Sequence, residues 1–268
     1  MRSNIKLLML LTLSSIGLYL GFSTMLIEPT IRYLLHRSVL RSFMARIIIC
    51  SAALGYYVQL QKQQSMQHSI APPAPLYRLT IGTILAQLMM TFALTLLSSI
   101  KEALWHPSVQ PILHFSSNID FVYRGIVEIS CLTAILEELL FRGILEKLLS
   151  KITSSRRWIT VISAIAFSLM HCNMSNNLLY FVMGCFLSYL YHQTNHIIYP
   201  MLAHGLHNLC ATSIIYLALD KRLDVAINNL PIVTRGLLAI GTLLAVYTYV
   251  THMFVSQKTK KSTKQRCD

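Results

Sequence analysis

Eight apolar stretches, most of them near the length a helix needs to cross a bilayer, recur along the 268 residues, at roughly 5–27, 43–60, 79–100, 121–149, 159–173, 176–192, 198–219 and 231–255. A hydrocarbon core ~30 Å thick takes about 20 helical residues. The pattern therefore predicts an all-α fold, a polytopic membrane helix bundle with about eight transmembrane helices. The fifth stretch is short and the fourth is too long, so tilted, re-entrant or exposed ends are expected there. Charge supports this reading. Only 12% of residues are charged, against about 25% in soluble domains, too few to cover a water-exposed surface. The hydrophobic fraction of 54% excludes disorder. The six cysteines mostly fall inside apolar runs and read as unpaired packing residues rather than a disulfide scaffold.

The first stretch follows Arg2 and Lys6 without a small-residue cleavage site near 21–25, and it is expected to be an uncleaved helix. The segment Gln59 to Pro75, rich in glutamine and with three prolines, reads as a loop between helices. The net charge of +13 would suggest nucleic acid in a soluble protein. Here it reads as an orientation signal, because cytoplasmic loops collect Lys and Arg. With eight spans both ends share a side, and that side carries 13 Lys and Arg against 9 opposite, although Arg32, Arg37, Arg41 and Arg46 in the first loop oppose the trend. An integral protein of the plasma (inner) membrane with both termini cytoplasmic is expected. The basic tail from Lys258 to Arg266 needs only anionic membrane lipids as its partner, and no nucleic acid.

A charge at the bilayer centre costs about 2.5–3.5 kcal/mol on insertion scales, so an ionisable group inside a span is a functional candidate. The fourth stretch contains Glu137, Glu138 and Arg142. Glu138 and Arg142 are four apart and can pair on one helical face, while Glu137 points about 100° away and remains available. The competing reading is a helix end emerging into water, continued by Glu146 and Lys147. The fifth stretch ends at His171, and the seventh carries His204, His207 and Asn208. Counting ~1.5 Å per residue, Glu137 and His171 lie about 18 Å from the same boundary, with His204 and Asn208 at roughly 9 and 15 Å, so all four can meet. His204 and Asn208 also share a helical face. His207, about 60° from His204, is expected to pack.

A carboxylate beside an imidazole can deprotonate a water, and an imidazole and an amide one turn apart can donate to the oxyanion formed when that water attacks a carbonyl. Such donors contribute roughly 2.7–4 kcal/mol each in a water-excluded site. Glu137, His171 and His204 equally match a catalytic zinc ligand set. The cofactor is thus either a divalent metal such as zinc or none. Both versions hydrolyse an amide or ester within the membrane.

The ordered set Glu137-Glu138-x-x-x-Arg142, Phe167-x-x-x-His171 and His204-x-x-x-Asn208 resembles the CPBP family of intramembrane proteases, the CAAX prenyl protease and bacteriocin-processing type with an Abi-like domain. Glu-Glu-Leu-Leu-Phe-Arg-Gly and the run from Tyr191 through Pro200 to His204 resemble the family's surrounding boxes. The resemblance covers roughly 121–219. It divides the chain into N-terminal membrane helices without a recognised motif (1–120), a catalytic helical core (121–219), and a last transmembrane helix with a basic cytoplasmic tail (220–268). It implies an endopeptidase acting on membrane-associated, in some members prenylated, peptide or protein substrates. Glu137 would be the base, His171 its partner, His204 and Asn208 the oxyanion donors, and Glu138 with Arg142 the supporting pair. Two alternatives share these residues. One is an inactive scaffold or immunity protein of the same fold, disfavoured because every motif position is intact. The other is a proton or cation transporter, disfavoured because the chain has no related halves.

Overall fold

The computed structural model describes residues 51–58, 76–104, 113–171 and 173–264. The expected first span, most of the second, and the loop 59–75 lie outside the described residues, as does the first arginine-rich loop. Everything described is helix or short connection, in keeping with the all-α expectation.

Helix α1 covers 51–58 and α2 runs Leu76–Leu104. Helix α3 is a continuous rod from Asn118 to Leu149 whose hydrogen-bonding pattern changes along its length. A turn at Asn118–Asp120 is capped by the Ser117 hydroxyl, which accepts from the Asp120 amide at 3.1 Å. Next comes a π-helical stretch, Phe121–Thr133, then α-helix at Ala134–Glu138, a second π-helical stretch at Leu139–Leu145, and a final α-helical turn at Glu146–Leu149. In the wider turns amides bond five residues back. Two hydroxyls follow the same rule, Ser130 donating to the Gly125 carbonyl at 2.6 Å and Thr133 to the Glu128 carbonyl at 3.0 Å. Helix α4 spans Arg156–Met170, α5 Asn177–Thr194 and α6 Ile198–Tyr216. A short α7, Asp220–Asn228, and a long α8, Ile232–Lys264, complete the order. Helix α5 ends where Asn195 adopts a left-handed φ of 54°, a conformation asparagine tolerates better than most residues.

Helix α2 packs against α8 and α6, α4 against α5, and α6 against the first π-helical stretch of α3. The apolar core includes Leu136, Leu139, Phe141, Phe167, Leu187 and Leu190, all at most 1% exposed. The outside is just as apolar. On α2, Ile81, Leu85, Leu88 and Phe92 are about half exposed at helical spacing, while Thr83 and Gln87 between them are fully buried. Helix α8 repeats the pattern with exposed Val233, Leu237, Ile240, Leu244 and Tyr247. A stripe of large aliphatics facing outward with polar groups inside is unfavourable in water and suited to lipid.

By length and composition, Leu79–Leu104 and Ile232–Met253 can cross a membrane, and a third crossing arises if α6 and α7, bent by 97° at their junction, form one broken span. The eight expected crossings are thus not reproduced among the described residues. Helix α4, with 15 residues, is shorter than the ~20 a crossing needs, and the run 121–149 is interrupted by five charged residues between Glu137 and Lys147.

Candidate active site

The polar residues of α3 point inward. Glu137 is 4% exposed, and Glu138 and Arg142 are fully buried. Arg142 Nη1 donates to Glu138 Oε1 at 2.9 Å, and Nη2 donates to the Gly184 carbonyl of α5 at 2.9 Å. The second bond needs α5 to lie close. A Cβ on Gly184 would sit 3.0 Å from the Ala164 backbone of α4, so glycine lets α5 lie against α4 at the level of that carbonyl. The Arg142 guanidinium also lies 5.0 Å from the Phe167 ring centroid, a favourable cation–π placement.

Glu138 Oε1 accepts twice, from Arg142 and from His204 Nδ1 at 2.8 Å. An ionised carboxylate only accepts, so the contact places a proton on Nδ1 and turns Nε2 outward. That Nε2 lies 3.8 Å from Glu137 Oε2. His171, at the C-terminal end of α4, is fixed in a similar way. Its Nδ1 is 2.9 Å from the Phe167 carbonyl, its ring stacks on Tyr180 at 3.9 Å, and its Nε2 is 3.9 Å from the same Glu137 oxygen. Phe167 packs edge-on against His204 and tilted against His171. Glu137, His171 and His204 therefore meet around one buried oxygen, Glu137 Oε2, which has no hydrogen-bond partner among the described residues.

Asn208 stands one turn beyond His204 on α6, and its Nδ2 donates to the Ile129 carbonyl of the first π-helical stretch at 3.1 Å. One of its two amide protons is thus committed to α3. Gly205 brings the helices together at this point, since a Cβ there would lie 2.8 Å from the Ser130 carbonyl. His207 faces away toward α2, its Nδ1 3.2 Å from Thr91 Oγ1, which in turn accepts from Gln87.

Whether Glu137, His171 and His204 form a metal site can be tested on distance. Ligands at ~2.0–2.1 Å in tetrahedral geometry lie about 3.4 Å apart. The oxygen–nitrogen separations here are 3.8 and 3.9 Å, and no group of three His, Cys, Asp or Glu side chains among the described residues has a geometry that could hold a metal ion. The residues as placed do not fit a zinc ligand set. They do fit a water: at hydrogen bonds of ~2.8 Å, one molecule reaches both ends of such a gap.

Residues 121–210 match the family model described as type II CAAX prenyl endopeptidase, Rce1-like. That segment, about a third of the chain, is similar to a CAAX protease domain. Neither a curated protein nor a solved structure matches the sequence. The family is one of membrane-embedded proteases, consistent with the apolar outer faces of α2 and α8. Every candidate site residue lies within the matched segment. Four residues around the candidate site carried no expectation from sequence or carried a different one. Glu146 and Lys147, which the solvent reading placed in water, are 2% and 5% exposed, and Lys147 Nζ lies 4.2 Å from the Tyr57 ring centroid. His192 Nε2 lies 3.2 Å from Glu146 Oε2, and Tyr180 stacks on His171. Of these, His192 could have been found from its place inside an otherwise apolar run.

Proposed function

We propose that the protein is an intramembrane endopeptidase that hydrolyses peptide bonds of membrane-associated, prenylated substrates by water attack. The observation that carries this reading is the convergence of His171 Nε2 and His204 Nε2 on Glu137 Oε2 at 3.9 and 3.8 Å. A water in that gap donates one proton to Glu137 and the other to His171 Nε2, leaving its lone pair to attack the scissile carbonyl. Glu137 removes the proton and delivers it to the departing amine. His204, flanked by two carboxylates, in its doubly protonated form presents Nε2–H to the oxyanion, and the uncommitted amide proton of Asn208 supplies the second donor. Glu138 and Arg142 hold His204 in orientation. The proposed setting is a polytopic bundle in the plasma membrane, with both ends and the basic tail on the cytoplasmic side.

The test is cleavage of a quenched fluorescent peptide ending in a prenylated CAAX sequence by purified protein in nanodiscs. The wild type is expected to cleave it, and Glu137→Gln and His171→Ala to lose at least a hundredfold in kcat. Activity that survives both substitutions refutes the reading.

A further inference from the structure

Glu146 lies two turns beyond Glu138 on α3, outside the matched motif positions, and the mechanism above does not use it. It is almost wholly buried, and neither carboxylate oxygen has a completed hydrogen bond among the described residues. A carboxylate in that position is costly unless counter-charges face it. Groups from three helices do. On α3, Arg142 Nε is 3.8 Å from Glu146 Oε1, and Glu138 lies beyond it. On α4, Ser163 turns its hydroxyl toward the carboxylate. On α5, His192 Nε2 is 3.2 Å from Oε2, and Ser188 also faces it, although its own proton goes to Thr160 Oγ1 at 3.0 Å. Arg156 and Tyr191 complete the charged and titratable surroundings of the pair.

The contacts form a chain of six side chains. His192 touches Glu146, Glu146 touches Arg142, Arg142 bonds Glu138, Glu138 bonds His204, and His204 faces Glu137. Arg142 stands between two carboxylates, at 2.9 Å from one and 3.8 Å from the other, so its exact place depends on the charge Glu146 presents. From this we infer that Glu146 and His192 are positioning residues for the proposed hydrolysis: they fix Arg142, and through Arg142 and Glu138 they set the orientation of His204. The inference rests on the hydrolase reading for its kinetic consequence only, since the chain of contacts can be read without turnover.

The variants are Glu146→Gln and His192→Gln, which keep size and remove the charge or the ring, in full-length protein in nanodiscs. Against the prenylated quenched peptide, each is expected to lower kcat by three- to thirtyfold with KM within twofold of wild type. The double variant should be no slower than the slower single, because the two act as one arm. The second readout is the 15N resonance of His204 Nδ1 in histidine-labelled protein, which reports its bond to Glu138 and is expected to move in both variants. Folded variants with wild-type kcat and an unmoved His204 resonance overturn the inference. If Glu146→Gln does not fold, His192→Gln, on a different helix, decides alone. A wild type inactive on the peptide would refute the substrate reading, and the His204 resonance would then decide this inference by itself.

Discussion

Replacing Arg142 with glutamine should be among the most damaging substitutions for stability, and adding Glu138→Gln should restore most of what it removes. Both side chains are fully buried, with N and O 2.9 Å apart. At an effective dielectric of about 20, that separation corresponds to roughly 6 kcal/mol of gross attraction, much of it offset by the desolvation of both ions. Removing one partner exposes the uncompensated cost. Glu138 keeps only His204, and the Gly184 carbonyl loses its donor. The expected destabilisation is about 3–5 kcal/mol, a melting shift on the order of 10 °C for a chain of this size. In Glu138→Gln/Arg142→Gln the carboxylate at 138 goes with its counter-charge, Glu146 loses only the 3.8 Å contact with Arg142 and keeps His192 at 3.2 Å, and the amide oxygen at 138 can still accept from His204, so the loss should shrink to about 1–2 kcal/mol. Thermal unfolding in detergent, followed with a thiol-reactive dye at the free Cys131, Cys185 and Cys210, measures both variants. A double variant as unstable as the sum of the singles would refute the view that these two residues are a compensating pair. Activity should be lost in both, because Arg142→Gln releases the Glu138 carboxylate from its anchor and the double variant leaves only a neutral amide to hold His204.

Asn208→Ala removes a bond to Ile129 and one of the two proposed oxyanion donors, and should cost about 1 kcal/mol in stability but roughly 100-fold or more in kcat. Kinetics alongside melting separate the two effects. Gly184→Ala places a methyl 3.0 Å from the Ala164 backbone, should cost about 1–3 kcal/mol by overpacking, and should weaken the Arg142 anchor on α5; a melting temperature within a degree of wild type would contradict the close-approach argument. Because the three candidate ligands stand too far apart for a metal, peptide cleavage is expected to survive chelator dialysis, with metal analysis of the same sample as the check.

The pairing of Glu138 with Arg142 was legible because four-residue spacing places two side chains on one face whatever surrounds them. The inward-facing motif residues were legible for a different reason: charges and histidines in apolar runs have few places to go. The surroundings were harder to read. Glu146 and Lys147 follow the motif at a helix end, where a water-facing reading is the cheaper assumption, and only the packing of α4 and α5 around them reverses it. The π-helical stretches of α3 have no composition signal, and a 3.6-residue period does not hold where bonding runs five residues back. Span counting reads composition alone. It treats each apolar run as a crossing, whereas α3 carries five charges between Glu137 and Lys147, α4 has 15 residues, and α6 is followed by a 97° bend.

Helix α3 keeps most of its irregular turns in its first half, between Phe121 and Thr133. That half lines an apolar cavity of about 570 Å³ with Ile126, Ser130 and Cys131, opposite Ile198, Leu202 and Leu206 of α6. A π turn is an α turn carrying an extra residue, so a single deletion there would tighten the rod and rotate its upstream end by about one residue's worth of arc. Glu137, Glu138 and Arg142 come later in the chain and are pinned to α5 and α6, so they would stay in place. Asn208, bonded to the Ile129 carbonyl within that stretch, would not, so the cavity wall and one proposed oxyanion donor are tied to the same turns. A residue gained or lost upstream would thus move the cavity wall and the anchor of Asn208 together, while the Glu138–Arg142 end of α3 keeps its place.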